Sequence, residues 1–270
     1  MRVRPWLWHN RGVLVSAAPC ALLWPAAMIV WGPGFTATKH RHHCVQLVMA
    51  LRGNLRVRSG PRRKWITCGA ALVRPDAAHE IDATGTQLLL AFVDVESVLG
   101  AALLQKIGSE IEVVQDSTLS IWRRRLGDPE TLTAERVEPW VRNQLLTERQ
   151  EPKLHPAVRR VLRIMRDEIA IRHDFPLERM AGIAGLSPSR FMHVFTKSVG
   201  VPLRPYILWL RLQIACGEVM GGASIASAAQ RAGFSDSAHL NRTLRRMMGM
   251  TPGEMVERRA STRTAVASAD

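Results

Sequence analysis

Leu177-ERMAGIAGLSPSRFMHVFTKSVG-Val201 is followed, 48 to 49 residues later, by a second copy of the same pattern, Ile225-ASAAQRAGFSDSAHLNRTLRRMMG-Met250. Ala181-x3-Gly185 answers Ala229-x3-Gly233, and Leu186-Ser187 answers Phe234-Ser235. After a slip of one residue, Phe191, Phe195, Lys197 and Gly200 answer Leu240, Leu244, Arg246 and Gly249. Each copy reads as a short helix, a sharp turn at a glycine and a second helix opened by a serine. That is the helix-turn-helix pattern, which lays its second helix in a DNA major groove.

Between the copies, Pro202 to Met220 reads as one helix. Two early prolines suit a helix start, and Ile207, Leu208, Trp209, Leu210, Leu212 and Ile214 make it apolar on most sides, the mark of a buried helix. At ~1.5 Å per residue it is a spacer of roughly 27 Å, comparable with the ~34 Å between successive major-groove faces. Upstream, Val158, Val161, Leu162, Met165 and Ile169 recur at three and four over His155–Arg172, an amphipathic helix with arginines on its other sides. The polar, proline-bearing stretch 149–156 marks a domain boundary.

Charge fits a phosphate partner. The chain of 270 residues carries 37 Lys and Arg against 23 Asp and Glu, a formal net charge of +14. Residues 151–270 hold 18 basic against 10 acidic side chains, so the excess is spread through the chain and not gathered in a tail. The hydrophobic share of 47% is enough for two cores. Cys20, Cys44, Cys68 and Cys216 form no C-x-x-C pair and no zinc spacing, which reads as reduced thiols in a cytoplasmic protein. Residues 12–32 carry no charge and could imitate a membrane span, but Pro19, Pro25, Gly32 and Pro33 break a continuous helix. Short buried strands are expected there, and no membrane partner.

From residue 26 to about 94, the apolar runs AMIVW, CVQLVMAL, NLRVR, WITCGAALVRP and QLLLAFVDV alternate with turn residues, predicting a small antiparallel sandwich or barrel. Helices are expected over 96–107 and 133–148. Their apolar rows, Leu99/Leu103/Ile107 and Val137/Val141/Leu145, exceed what one side of a small barrel needs, and so are expected to serve self-association into a homodimer. The tail 260–270 is small and polar, the composition of a disordered segment.

The C-terminal residues closely resemble the AraC/XylS family of bacterial transcription regulators. LERMAGIAGLSPSRFMHVFTKSVGVPLRPYILWLRLQIA and SIASAAQRAGFSDSAHLNRTLRRMMGMTPGEMVERR carry the resemblance, most specifically through AGFSDSAHLNRTLRRMMGMTPGE. The resemblance implies an α+β chain: a cupin-like N-terminal β-barrel with trailing helices over 1–150 for effector sensing and dimerisation, then an all-α double helix-turn-helix domain over 151–259. It also implies double-stranded DNA, a small-molecule effector and RNA polymerase as partners, with no enzymatic activity and no cofactor. On the first recognition helix, Phe191, Val194 and Phe195 occupy the core face, leaving Ser189, Arg190, Met192, His193 and Lys197 for DNA. On the second, Leu240, Leu244 and one of Met247 and Met248 are core, leaving Ser237, His239, Asn241, Arg242, Arg245 and Arg246. Arginine pairs with guanine and asparagine with adenine, each worth about 1–3 kcal/mol of discrimination. Arg245 and Arg246, one turn later, suit phosphates, which position the protein without reading sequence.

Gly34-FTATK-His40-Arg-His42-HCV-Gln46-LVMALR-Gly53 resembles the first cupin motif, with Gln46 where cupins usually carry Glu. Gly69-AALVR-Pro75-DAA-His79 resembles the second, one residue short. The resemblance makes His40, His42, Gln46 and His79 the effector-binding positions, with a metal ion as the less favoured occupant because a neutral amide replaces the carboxylate. Residues two apart on a strand share a side, so His43 is expected to point away. Two other function classes stand beside the regulator: a metal-dependent cupin enzyme with a fused helical domain, and a constitutive DNA binder with a degenerate barrel.

Overall fold

Two long apolar runs organise the N-terminal half. The computed structural model describes residues 21–257 apart from 25–26, 61–62, 146–153 and 170. Residues 12–20, most of the expected boundary and the tail 260–270 lie outside the described residues. A six-stranded antiparallel sheet has the order β1 (Ala21–Trp24), β2 (Ala27–Pro33), β9 (Gln87–Val93), β4 (Val45–Ala50), β7 (Ala70–Val73) and β10 (Ile111–Val113). At its centre β4 is buried at every residue and β9 at all but its first. Strands covered on both faces need no alternation, so these two read as continuous apolar runs. A four-stranded sheet, β3 (Thr36–His40), β8 (His79–Asp82), β5 (Leu55–Arg58) and β6 (Ile66–Cys68), lies against it. There β5 and β8 alternate, burying Leu55, Val57, His79 and Ile81 and turning Arg56, Arg58, Glu80 and Asp82 outward.

The expectation of a barrel is corrected in one respect. Among the described residues the two sheets are not hydrogen-bonded into a closed ring, and the unit is an open two-sheet sandwich. It is covered by α1 (Val98–Leu104), α2 (Asp116–Leu126) and α3 (Ala134–Trp140). The expected dimerisation rows do not stand free. Leu99, Leu103, Ile107, Val137, Val141 and Leu145 are all buried in the core of their own sandwich, which needs more apolar cover than its strands alone suggest.

The helical half follows its sequence pattern: α4 (Pro156–Glu168), α5 (Leu177–Ala184), α6 (Pro188–Val199), α7 (Leu203–Met220), α8 (Ile225–Arg231) and α9 (Ser237–Met248). Ser187 caps α6 by accepting from Arg190 N–H, and Asp236 caps α9 by accepting from His239 N–H at 2.6 Å. These caps satisfy donors that a helix start leaves open.

The division of α7 matters most for function. Its Leu203, Tyr206 and Leu210 join α4, α5 and α6 in one apolar core. Its Trp209, Leu212, Cys216 and Val219 join a second core that runs from both sheets of the sandwich into α8 and α9. The first helix-turn-helix thus has a core of its own, while the second shares its core with the sandwich. Cys44, Cys68 and Cys216 are buried and form no disulfide. No described helix is long and apolar enough to cross a membrane.

Candidate DNA interface and a buried histidine site

The recognition helices place their side chains as amphipathic spacing requires. On α6, Phe191, Val194, Phe195 and Val199 are buried, while Ser189, Arg190, Met192, His193 and Lys197 are exposed. Met192 is 50% exposed, an apolar group available to a thymine methyl. On α9, Leu240, Thr243, Leu244 and Met248 are buried, which settles the choice between Met247 and Met248. Asn241, Arg242, Arg245 and Arg246 are exposed; Ser237 and His239 are half-buried. His239 Nδ1 lies 3.2 Å from Ser235 Oγ, and its ring lies 5.1 Å from that of Phe234. It is therefore more restrained than its neighbours at the start of α9.

His40, His42, Gln46 and His79 come together inside the sandwich, each at most 4% exposed. The strands dictate this. His40 is the cross-strand partner of His79, where a bulge shifts the register of β3 on β8. Gln46 stands on β4 of the facing sheet. Its Oε1 lies 2.7 Å from His79 Nε2 and 3.1 Å from His42 Nε2. The rings of His40 and His79 are 4.1 Å apart, and those of His42 and His79 5.1 Å. His40 Nδ1–H donates to Thr38 O at 2.7 Å and His79 Nδ1–H to Ala77 O at 2.9 Å. In a neutral imidazole this leaves the lone pair on Nε2. Burial pushes all three rings down to about 3, aided by the next ring of the cluster and opposed by hydrogen bonds. Three neutral imidazoles, each with a ring nitrogen within 4.8 Å of the others', fit a metal ion chemically. The backbone carbonyls behind two of them supply the orienting contacts that ligating histidines use.

His43 goes elsewhere, to Asp76 Oδ2 at 2.9 Å and Glu96 Oε1 at 3.0 Å. Burial alone would lower it, but the two hydrogen-bonded carboxylates outweigh burial and carry it up to about 10, so it donates to both.

Around this set lies a network that sequence reasoning missed. Asp94, the residue after β9, accepts from Trp209 Nε1–H at 2.9 Å, Gln213 Nε2–H at 3.1 Å and Arg166 Nη2–H at 3.2 Å. Arg166 also lies 3.7 Å from Glu96. Burial pushes the Asp94 carboxyl up and Arg166 opposes it. One carboxylate of the sandwich thus ties together α4 and α7. The available signal was Gln213 within the apolar run of α7, four residues after Trp209.

The histidine strand itself touches the DNA-binding half. Thr38 N–H and Oγ1–H both donate to Gly249 O at 3.2 Å, and Arg41 N–H donates to Arg246 O at 3.4 Å. Gly249 ends α9, and a Cβ there would fall 2.6 Å from His40 Nδ1. Gly200 ends α6, and a Cβ there would meet His43 Cε1 at 3.4 Å. The ring of His42 lies 6.4 Å from Trp209 of α7. Separately, Trp31, Phe35, Leu88 and Leu90 of the sandwich and Met220, Met250 and Met255 of the helical half line a small, partly open apolar cleft. None of the four polar residues lines it.

Comparison with known proteins supports the helical assignment. A family model described as a helix-turn-helix domain matches residues 180–258. No curated protein matches the chain in sequence. The fold is similar to an apo variant of ToxT from Vibrio cholerae, with a TM-score of 0.57 at 9% identity over 86% of this chain and 97% of that one. ToxT from the same organism with an unsaturated fatty acid bound gives a TM-score of 0.53 at 9% identity over 86% of this chain and 95% of that one. A regulator from Chromobacterium violaceum with an AraC-type DNA-binding domain is 26% identical over 39% of this chain and 93% of its own, with a TM-score of 0.36. The ToxT likeness is one of fold. Together, the paired helix-turn-helix units and the sandwich before them define a DNA-binding transcription regulator. The residues that carry the family match, 180–258, are those of a helix-turn-helix domain.

Proposed function

We infer that this regulator is effector-responsive, and that the site formed by His40, His42, Gln46 and His79 is where the effector acts. One observation carries the reading: the segment Thr38–His43, which bears His40 and His42, lies against the ends of both recognition helices, at Gly249 through Thr38 and His40 and at Gly200 through His43. A ligand that binds one arrangement of these contacts better than another must shift the equilibrium between them. In this reading the part up to residue 150 senses and pairs, and residues 151–259 bind DNA. The protein works in the cytoplasm as a homodimer, without enzymatic activity, and meets RNA polymerase at its promoters. The buried helical rows do not supply the dimer interface. A second reading is favoured by the apolar cleft, which fits an apolar effector; a relative in fold binds a fatty acid.

The DNA-binding roles are tested by selecting duplexes from a random pool. Arg242→Ala and Arg190→Ala are expected to relax preference at particular base pairs by about 1–3 kcal/mol each. Arg245→Ala and Arg246→Ala are expected to weaken all sequences alike and to lower the salt slope by about one. An unchanged selected motif with Arg242→Ala overturns the assignment of α9. Effector dependence is read from gel shifts of the selected duplex across a panel of metabolites and metal ions. Occupancy that never changes leaves a constitutive binder.

A further inference from the structure

We propose that the sandwich itself holds DNA: Lys39 and Arg41, on the segment that abuts the end of α9, grip the phosphate backbone beside the phosphates assigned to Arg245 and Arg246. The proposal goes beyond the reading of α9 as a recognition helix and rests on it.

Alternation sets these two side chains outward. His40 and His42 are buried, while Lys39 and Arg41, which flank His40, are exposed. Residues two apart on an extended segment share a side. Backbone contacts fix the segment on the helix end. Thr38 N–H and Oγ1–H donate to Gly249 O, and Arg41 N–H donates to Arg246 O at 3.4 Å. Lys39 lies between these two anchors. The side chains of Arg41 and Arg246 thus spring from adjacent points, inside the ~8 Å over which charge acts at physiological salt. Lys39, Arg41, Arg245 and Arg246 bring four exposed cations to one place.

No carboxylate offsets them. Among the described residues none of the four has an acidic partner. Exposed arginines elsewhere do: Arg52 pairs with Asp128, Arg56 with Asp82 and Arg231 with Glu218. The sequence keeps acids away from this segment, since no Asp or Glu precedes Asp76. The acids of β8 turn to β5 instead, Asp82 to Arg56 and Glu80 to Arg58. Crowded like charges repel one another. A polyanion relieves that repulsion and releases its own counterions on binding.

The place on α9 identifies the polyanion. A recognition helix reads base edges near its N-terminus and meets the backbone where it ends. On α9, Asn241 and Arg242 come one turn before Arg245 and Arg246. A segment seated on that end faces the backbone bordering the same groove. Once α9 is docked, Lys39 and Arg41 meet phosphate at high effective concentration, with no second encounter needed. Phosphate contacts carry no sequence information, so this one adds affinity and leaves the preferred sequence unchanged.

The test uses the purified full chain, because the second unit shares its core with the sandwich. Affinity for a selected duplex is measured by fluorescence anisotropy over a range of salt concentrations. Lys39→Ala and Arg41→Ala should each weaken binding roughly fivefold near ~0.15 M salt and lower the salt slope by about one; the double variant should lower it by about two. Arg41→Lys should keep most of the slope. Duplexes selected from a random pool should show the wild-type motif in all of them. Arg124→Ala with Arg125→Ala removes the same charge from the exposed side of α2 and should leave the slope unchanged. A folded Lys39/Arg41 double variant with wild-type affinity and slope overturns the proposal and leaves these cations for an acidic protein surface. An equal loss in the α2 variant overturns it too, since the effect is then one of net charge. Arg242→Ala tells the two failures apart. If it changes the selected motif while the Lys39 and Arg41 variants keep the wild-type slope, only the sandwich contact falls; if it leaves the motif unchanged, the reading of α9 falls first.

Discussion

Replacing Asp94 by alanine is expected to lower the stability of the chain by about 3–5 kcal/mol, the cost of removing one partner from a buried ion pair. The carboxylate side chain is 2% exposed and Arg166 22%. Its loss leaves the Trp209 indole N–H and the Gln213 amide without their acceptor, and leaves Arg166 with Glu96 at 3.7 Å. Each orphaned donor keeps its desolvation penalty without a bond to offset it. Asp94→Asn should fall between alanine and wild type. Its carbonyl oxygen can still accept from Trp209 and Gln213, but the charge facing Arg166 is gone. Denaturant unfolding followed by tryptophan fluorescence measures both, with Trp209 itself reporting on the site. Alanine and asparagine variants both within about 1 kcal/mol of wild type would show that the network contributes little to holding α4 and α7 on the sandwich.

How legible these features were depends on the kind of interaction. The helix-turn-helix units were readable because local chemistry defines them. Ser187 and Asp236 cap their helices within three residues, Gly185 and Gly249 end theirs in the left-handed region, and the core faces follow the 3.6-residue period. Strands β4 and β9 were readable as long apolar runs. Strands β3, β8 and β10 were not, because short stretches such as Thr36–His40 and Ile111–Val113 have mixed burial and no apolar run to mark them. Helix α2 was missed because DSTLSIWRRRL buries only Leu119, Trp122 and Leu126. The convergence of His40, His42, Gln46 and His79 followed from motif spacing. The Asp94 network did not, because its partners lie 72 to 119 residues away and no local pattern links them. The apolar rows of α1 and α3 were legible as buried faces but not as faces buried against their own chain, since sequence shows that a surface needs cover and not what covers it.

Gly249→Ala is expected to cost clearly more than the same change at Gly185, and the difference isolates the docking of the second unit on the sandwich. Both glycines end helices in the left-handed region, at φ +68° and +69°. Alanine in that region costs ~1–2 kcal/mol through clash of its Cβ with the backbone. Around Gly185 a Cβ meets nothing within 4 Å, so strain is the whole effect. At Gly249 the Cβ would fall 2.5 Å from Thr38 O and 2.6 Å from His40 Nδ1. Neither can yield cheaply: the first is backbone, and the second is held by the hydrogen bond to Thr38 O. Overpacking of this kind adds ~1–3 kcal/mol. Gly200→Ala provides an intermediate case, with left-handed φ at +91° and its nearest new contact at 3.4 Å from His43. Denaturation midpoints of the three variants should therefore fall in the order Gly185→Ala, Gly200→Ala, Gly249→Ala, from least to most damaged. The same substitution should also separate DNA binding from its control. α9 keeps its exposed arginines in Gly249→Ala, so the selected duplex is still bound, but any dependence on the histidine site is weakened because β3 no longer seats against the helix end. Equal losses at Gly185 and Gly249 would mean that the strand and the helix end yield freely, and the mechanical link between the buried site and the second recognition helix would fall with that result.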